Sequence, residues 1–235
     1  MTTDGLVIQP GLRTREVELD GREAGLKNAR PAKRFKVLVL YPISLSENDE
    51  DKFLSQASRI QRHQWGSAFD RCSREKHDKP WDWWEKWKNL FFRQRIDRNE
   101  PVECIVVISA GTIQGMMIVG PSKPANLKAS VPERLLYLAY MATAPWNRKV
   151  YRPKSGIFPE TLRGIGTALV KEAIRLSVSC GYRGRIGLNA MGRSEGFYEH
   201  IGMTYVPKPK DDEFKDDWFE FSEKAAQAFL NKPNS

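Results

Sequence analysis

Little in this chain is suited to metal or redox chemistry. Its 235 residues include three cysteines and three histidines. Cys72, Cys104 and Cys180 stand far apart, and with His63, His77 and His200 they form no ligand spacing. That excludes zinc fingers, zinc ribbons and a disulfide framework, and leaves reduced, mostly buried thiols. Long apolar runs are missing too. "KVLVLYPI" (36–43) and "CIVVISAG" (104–111) are strand-sized, well short of the roughly 18 residues of a membrane helix. The opening residues "MTTDGLVIQPGLRTRE" contain no apolar h-region, so no signal peptide is expected and the expected compartment is the cytoplasm. No internal repeat occurs, which excludes a solenoid.

What is present suits a globular domain. Apolar residues make up 40% and aromatics 11%, enough for a sizeable core in one domain with or without an extension. The net charge of +9 favours anionic partners, whether nucleic acid, a membrane surface or a phosphorylated cofactor, and does not choose among them.

Residues 1–34 are polar and basic, with eight Lys/Arg between Arg13 and Lys36, and read as a flexible basic extension. The domain is expected over 35–235. "FKVLVLYPIS" reads as a strand ended by Pro42. "SENDEDKFLSQASRIQRHQW" has capping residues before Phe53, Ala57 and Ile60 at helical spacing, and "DKPWDWWEKWKNLFFRQR" starts with Asp78 and Pro80 as a second helix. "VECIVVISAGTIQGMMIVG" reads as two strands joined through Gly111 and Gly115, and "RLLYLAYMATAP" as a third. A helix is expected from Gly164 to about Cys180, with Ile165, Ala168, Leu169, Ala173 and Leu176 inward. Thr167, Lys171, Glu172, Arg175 and Ser179 are expected outward. The strand "GRIGLNA", the short helix "GRSEGFYEHIG", two late strands and the helix "EKAAQAFL" complete the order β-α-α-β-β-β-α-β-α-β-β-α. Helices interleaved with strands in this way imply a three-layer α/β domain around one central mixed sheet.

"LRGIGTALV" (162–170) is the stretch that suggests chemistry. It is not a P-loop, and Leu169 stands where a dinucleotide fingerprint needs its third glycine. What remains is a loop, G-I-G and a helix. Small residues there leave backbone N–H groups uncovered at a positive helix end, which attracts phosphate oxygens. Taken together, "YLAYMATAPWNR", "LRGIGTALVKEAIRLSVSCGYRGRIGLNA" and "EGFYEHIGM" resemble the GNAT superfamily of acyl-CoA-dependent N-acetyltransferases. The likeness is strongest from Leu135 to Thr204. It rests on a motif of the form Q/R-x-x-G-x-G/A, followed after a further strand by "FYE-x-x-G-[FM]".

The resemblance implies a central mixed, splayed sheet flanked by helices, with acetyl-CoA as cosubstrate. It implies that the backbone of Met141, Ala142 and Thr143 pairs with the pantetheine arm. The pyrophosphate is expected on Arg163, Gly164, Ile165, Gly166, Thr167 and Ala168, and Asn189 is expected to contact the cofactor. Tyr198 is expected to protonate the departing thiolate. An amine acceptor is implied: a small molecule, a protein amine or an aminoacyl group. The chain departs from the family pattern in three ways. Thr161 fills the Q/R slot. An insertion carrying Lys149, Arg152 and Lys154 separates Arg148 from Arg163. "LLYLAYMAT" has no carboxylate to serve as base, but carries Tyr137 and Tyr140. A water chain, Glu133, Glu103 or another carboxylate remain open for that role. Two other readings stay open: a non-catalytic acyl-CoA-binding module, and a nucleic-acid-associated protein using the basic arm and the Trp81–Phe92 helix.

Overall fold

A computed structural model describes residues 57, 59–65, 86, 103–109, 111–128, 130–147, 161–192, 194–207 and 217–232, and strand backbone at 2–3, 6–7, 12–22 and 32–42. Two short strands, β1 (Thr2–Thr3) and β2 (Leu6–Val7), form a separate ribbon. Period-two runs rich in Val, Ile and Tyr become the longer strands. They are β3 (Leu12–Arg22), β4 (Ala32–Pro42), β5 (Glu103–Ser109), β6 (Thr112–Pro124) and β7 (Arg134–Thr143). Then come β8 (Thr161–Leu162), β9 (Ile186–Ala190), β10 (Thr204–Val206) and β11 (Asp217–Phe221). β3 to β11 make one nine-stranded sheet in the order β10-β11-β9-β7-β6-β5-β4-β3-β8. Every neighbour is antiparallel except β7 and β9, which run parallel. The sheet is therefore mixed.

Three helices follow among the described residues: α1 (Ile165–Ser179), α2 (Glu195–Ile201) and α3 (Glu223–Leu230). Ile165, Ala168, Leu169 and Ala173 of α1 are buried against Val107, Met117, Leu136 and Leu138 of the sheet. Close approach is possible because Gly115 has no side chain: a Cβ there would stand 2.7 Å from Ile165 Cγ2. The opposite face is covered near the β5–β6 turn by helical residues 59–65. Trp65 Nε1 donates to Ile113 O at 2.8 Å, and Gln64 both donates to Gly111 O and accepts from Ile113 N. Trp65 also meets Trp146 edge-on at 6.5 Å. The architecture is α/β, a mixed sheet with helices on both faces, as the interleaved pattern implied.

Two expectations need correction. Residues 12–22, expected within a flexible extension, form β3, which pairs with β4 from Leu12↔Pro42 to Gly21↔Ala32 and with β8 through Gly21↔Leu162 and Arg22↔Thr161. A strand needs only backbone partners and alternation, and Val17 and Leu19 alternate with Glu16, Glu18 and Asp20. Second, Lys171 and Glu172 are buried rather than outward. α3 lies over that side of α1: Lys171 Nζ donates to Lys232 O and stands 5.6 Å from the Phe229 ring centre, and Glu172 pairs with Arg175. Of the expected second helix only Lys86, in helical conformation, is described. Its tryptophans, Cys72 and the insertion with Arg148, Lys149, Arg152 and Lys154 lie outside the described residues.

Candidate functional site

β7 and β9 pair at two positions only, Leu136↔Ile186 and Tyr137↔Gly187. Beyond them β7 continues to Thr143 and β9 to Ala190 with no register between them. The sheet therefore splays, and one row of backbone groups on each inner edge has no partner in the other strand. Met141, Ala142 and Thr143 lie on the β7 side of this opening, held from behind by β6 through Met117, Met116 and Gly115. Each is only half-buried.

A bulge shapes the same strand. Val119 faces Leu138, but Ile118 faces Tyr140, so Ala139 is an extra residue without a ladder partner in β6. Leu138 and Met141 therefore stay on the α1 side, in or against the core, while Tyr137 and Tyr140 both occupy the opposite face. There Tyr137 stacks on Trp218 with ring centres 5.9 Å apart, and Lys123 Nζ lies 3.6 Å from the Tyr137 centroid. Lys86 Nζ lies 4.2 Å from the Tyr140 centroid, and burial lowers its pKa. Asn189 Nδ2 donates to Tyr137 Oη at 3.1 Å, a bond that crosses the vertex of the splay.

On the other face, the glycine stretch brings the start of α1 to the splayed end of β7, where Ile165 and Leu169 pack over Gly115 beside Ala142. Gly164, the N-cap, has φ 79°, a left-handed geometry that glycine adopts without a Cβ penalty. α1 has no side-chain cap and no acid in its first turn. Its first intrahelical bond is Ala168 N to Gly164 O, so the N–H groups of Ile165, Gly166 and Thr167 have no acceptor within the helix. Arg163 is exposed at the bend just before it. Gly166 has a packing reason as well, since a Cβ there would lie 3.1 Å from Phe197 Cζ of α2.

Tyr198 is on α2, buried against Phe197 and Phe219 with ring centres 5.2 and 5.9 Å away. Burial pushes its phenol above the ordinary range, and a hydrogen bond with Ser194 opposes this in part. Ser194 Oγ also donates to Met191 O at 2.7 Å. Beside it, Glu195 is raised by desolvation, then by hydrogen bonding to Asp217 and the charges of Asp217 and Glu199.

Neither carboxylate weighed as a base stands at the opening. Glu133 precedes β7, at the end remote from the splay, and pairs with Arg185 at 3.1 Å. Glu103 lies near Cys180, whose thiol is raised first by burial and further by that charge. Cys180 follows the far end of α1, a helix of 15 residues and so about 22 Å long. Glu220, the buried carboxylate of β11, is consumed as an acceptor by Asn126 N, Leu127 N and Trp218 Nε1.

Sequence reasoning missed one group at the site, Gln114 with Trp146 and Asn147. Trp146 Nε1 and Asn147 Nδ2 both donate to Gln114 Oε1, at 3.0 and 2.9 Å, and Leu162 N donates to Asn147 Oδ1 at 2.8 Å. A buried amide in a loop carries no periodic signal.

No family model matches the chain, and no curated protein matches it. Among solved structures it is similar to the PaiA N-acetyltransferase of Thermoplasma acidophilum in complex with coenzyme A, at 16% identity, covering 78% of this chain and 97% of that one, TM-score 0.43. It is similar to the Bacillus subtilis N-acetyltransferase YlbP in complex with coenzyme A, at 12% identity, 67% and 90% coverage, TM-score 0.38. It is also similar to a mutant of the AtaT toxin bound to the C-terminus of the antitoxin AtaR, at 12% identity, 62% and 80% coverage, TM-score 0.40. These likenesses are loose, and the weight falls on the chain's own topology. A mixed sheet splayed between its one parallel pair, with a glycine-opened helix between those two strands in the chain, is an α/β fold of the GNAT type.

Proposed function

We propose that this chain is a GNAT-superfamily N-acetyltransferase that passes the acetyl group of acetyl-CoA to an amine acceptor by direct attack in a ternary complex. The observation that carries the reading is the splay of β7 from β9 together with the uncapped start of α1. An extended pantetheine arm fits in the opening where β7 and β9 no longer pair, and Met141, Ala142 and Thr143 line its β7 side. Within Arg163–Ala168, pyrophosphate oxygens fit the N–H groups of Ile165, Gly166 and Thr167, since Ala168 N is bonded to Gly164 O, with the Arg163 guanidinium beside them. Asn189 holds the vertex and lies within reach of the arm. In the reaction the amine nitrogen bonds to the thioester carbonyl carbon, the C–S bond breaks, and the sulfur takes a proton from Tyr198 Oη. The amine sheds its own proton to solvent or to a base yet to be identified. No helix of the described residues is long and apolar enough to cross a membrane, and a cytoplasmic location fits the reading.

One observation favours a second reading, a non-catalytic acyl-CoA-binding module. The opening has no carboxylate from β7, and burial makes Tyr198 a weak acid. An ordinary phenol titrates about 1.5 units above an ordinary thiol, so protonating a thiolate from it runs roughly 2 kcal/mol uphill, and burial widens the gap. The reading of a flexible basic arm on nucleic acid loses support, since much of that arm is β3.

Calorimetric titration with acetyl-CoA, CoA and dephospho-CoA tests the cofactor half. Gly166→Glu is a poor control because it also strikes Phe197; Arg163→Glu is the cleaner one. Absence of heat with every ligand removes the assignment. Thiol release against a panel of amines then separates enzyme from binding module. A Tyr198→Phe rate equal to wild type removes Tyr198 as the required acid.

A further inference from the structure

Packing of Ile165, Ala168 and Leu169 fixes the axis of α1, but no side chain holds its first N–H groups: Gly164 has none, α1 has no side-chain cap, and Arg163 is exposed. The residue that leads into the bend therefore bears on where those N–H groups point. That is Leu162, buried in the core, whose N–H is held by Asn147 Oδ1 from 15 residues upstream.

The orientation of the Asn147 amide follows from a chain of donors and acceptors. An indole N–H can only donate, so Trp146 fixes the oxygen of the Gln114 amide toward itself. That same oxygen selects the nitrogen of Asn147, which also reaches Gln114 O at 3.3 Å. The oxygen of Asn147 is then the atom that remains for Leu162 N–H. Gln114 and Trp146 are both buried, and the strand end carrying Gln114 is pinned by Gln64 and Trp65 through Gly111 and Ile113. The polarity of each amide is thus set by its neighbour, starting from the one group that cannot reverse.

We propose that Asn147 is a positioning residue for phosphate binding, holding Leu162 so that the N–H groups at the start of α1 point at the anion. The inference rests on the acyl-CoA reading above. It assigns to a side chain outside the glycine motif the role of aiming that motif. Asn147→Asp is nearly isosteric but sets an oxygen against Gln114 Oε1 and Gln114 O, turning two attractions into repulsions.

The test measures the dissociation constants of CoA and of pantetheine, which lacks every phosphate. In the wild type the ratio of the two reports the phosphate contribution. Asn147→Asp is expected to weaken CoA about tenfold or more, the scale of losing one or two well-made polar contacts. Pantetheine should change little, so the ratio collapses. A merely structural role weakens both ligands alike and leaves the ratio intact, and that result overturns the proposal. A wild type that binds neither ligand sinks the acyl-CoA reading instead, so the two failures are distinct. Where Asn147→Asp does not fold, Trp146→Phe carries the test. Without the indole donor the Gln114 amide is free to reverse, and both faster hydrogen exchange at the Leu162 amide and a smaller fall in the same ratio are expected. Unchanged exchange and an unchanged ratio in that variant overturn the proposal.

Discussion

The two ends of α1 are built in opposite ways. At its C-terminal end every nearby group is tied down. Cys180 N donates to Leu176 O, Gly181 N to Val178 O and Tyr182 N to Ser177 O, and Ser177 Oγ reaches Arg185 O at 2.7 Å. Arg185, itself buried, donates to Arg134 O and Glu133 and pairs with Glu223. At its N-terminal end there is no cap, no acid and a glycine in left-handed geometry. Among the described helices Ser222 Oγ caps α3 by accepting from Ala225 N, whereas α2, like α1, has no side-chain cap. A side-chain cap contributes about 1 kcal/mol. What sets the start of α1 apart is a left-handed glycine and no acid in the first turn, beside a splayed sheet. The sealed end serves stability, and the open end is the one the proposed function assigns to phosphate.

This contrast can be broken from either side. The largest effect is expected at the sealed end. Arg185→Met removes the donor to Arg134 O, the partner of Glu133 and one of the two cations beside Glu223, the other being Arg183. It should cost about 3 kcal/mol of stability, read as a lower urea midpoint at constant slope, with the CoA-to-pantetheine ratio preserved in the folded fraction. A smaller effect, about 2 kcal/mol, is expected from Gly115→Ala, whose Cβ meets Ile165 Cγ2 and pushes the first turn of α1 off the sheet. Here stability and CoA affinity should fall together, because the residue packs beneath the open end.

The third effect appears only in alkali. Up to about pH 10 the Tyr198 phenol is protonated in both folded and unfolded chains. Above that the unfolded chain releases the proton while the folded one keeps it, so stability falls as pH rises until the folded phenol also titrates. Tyr198→Phe removes that component, and the gap between urea midpoints at about pH 9 and about pH 11 should narrow. Smallest of all is Arg163→Glu. At an exposed bend its stability change should stay within about 0.5 kcal/mol, yet CoA binding by calorimetry should weaken clearly. Equal losses of stability at the two ends would erase the contrast.

Much of the fold was legible in the sequence where one physical cause acts alone. The inward stripe of α1 and the strands β5, β6, β7 and β9 follow from periodicity and stand where expected. Legibility failed where a second element intervenes. Lys171 and Glu172 look like a solvent face until α3 covers them. β3 looks like a charged arm until β4 and β8 supply its backbone partners. The glycine stretch could be found because "YLAYMATAP" and "EGFYEHIGM" flank it in the order the resemblance requires. Asn147 could not, because its importance lies in which of its two ends faces Leu162, and only the buried neighbours decide that.

The bulge in β7 separates two things that a regular strand keeps bound together. Along an ordinary strand, removing one residue reverses the side of everything after it. Here Leu138 and Tyr140 already stand opposite consecutive residues of β6. Deleting Ala139 would therefore leave Tyr137, Tyr140 and Met141 on their present faces and take away only the unladdered peptide. Ala139 is a rest in the rhythm rather than a note. Its removal would show how far the opening depends on the kinked main chain alone, with every side chain still on its own face.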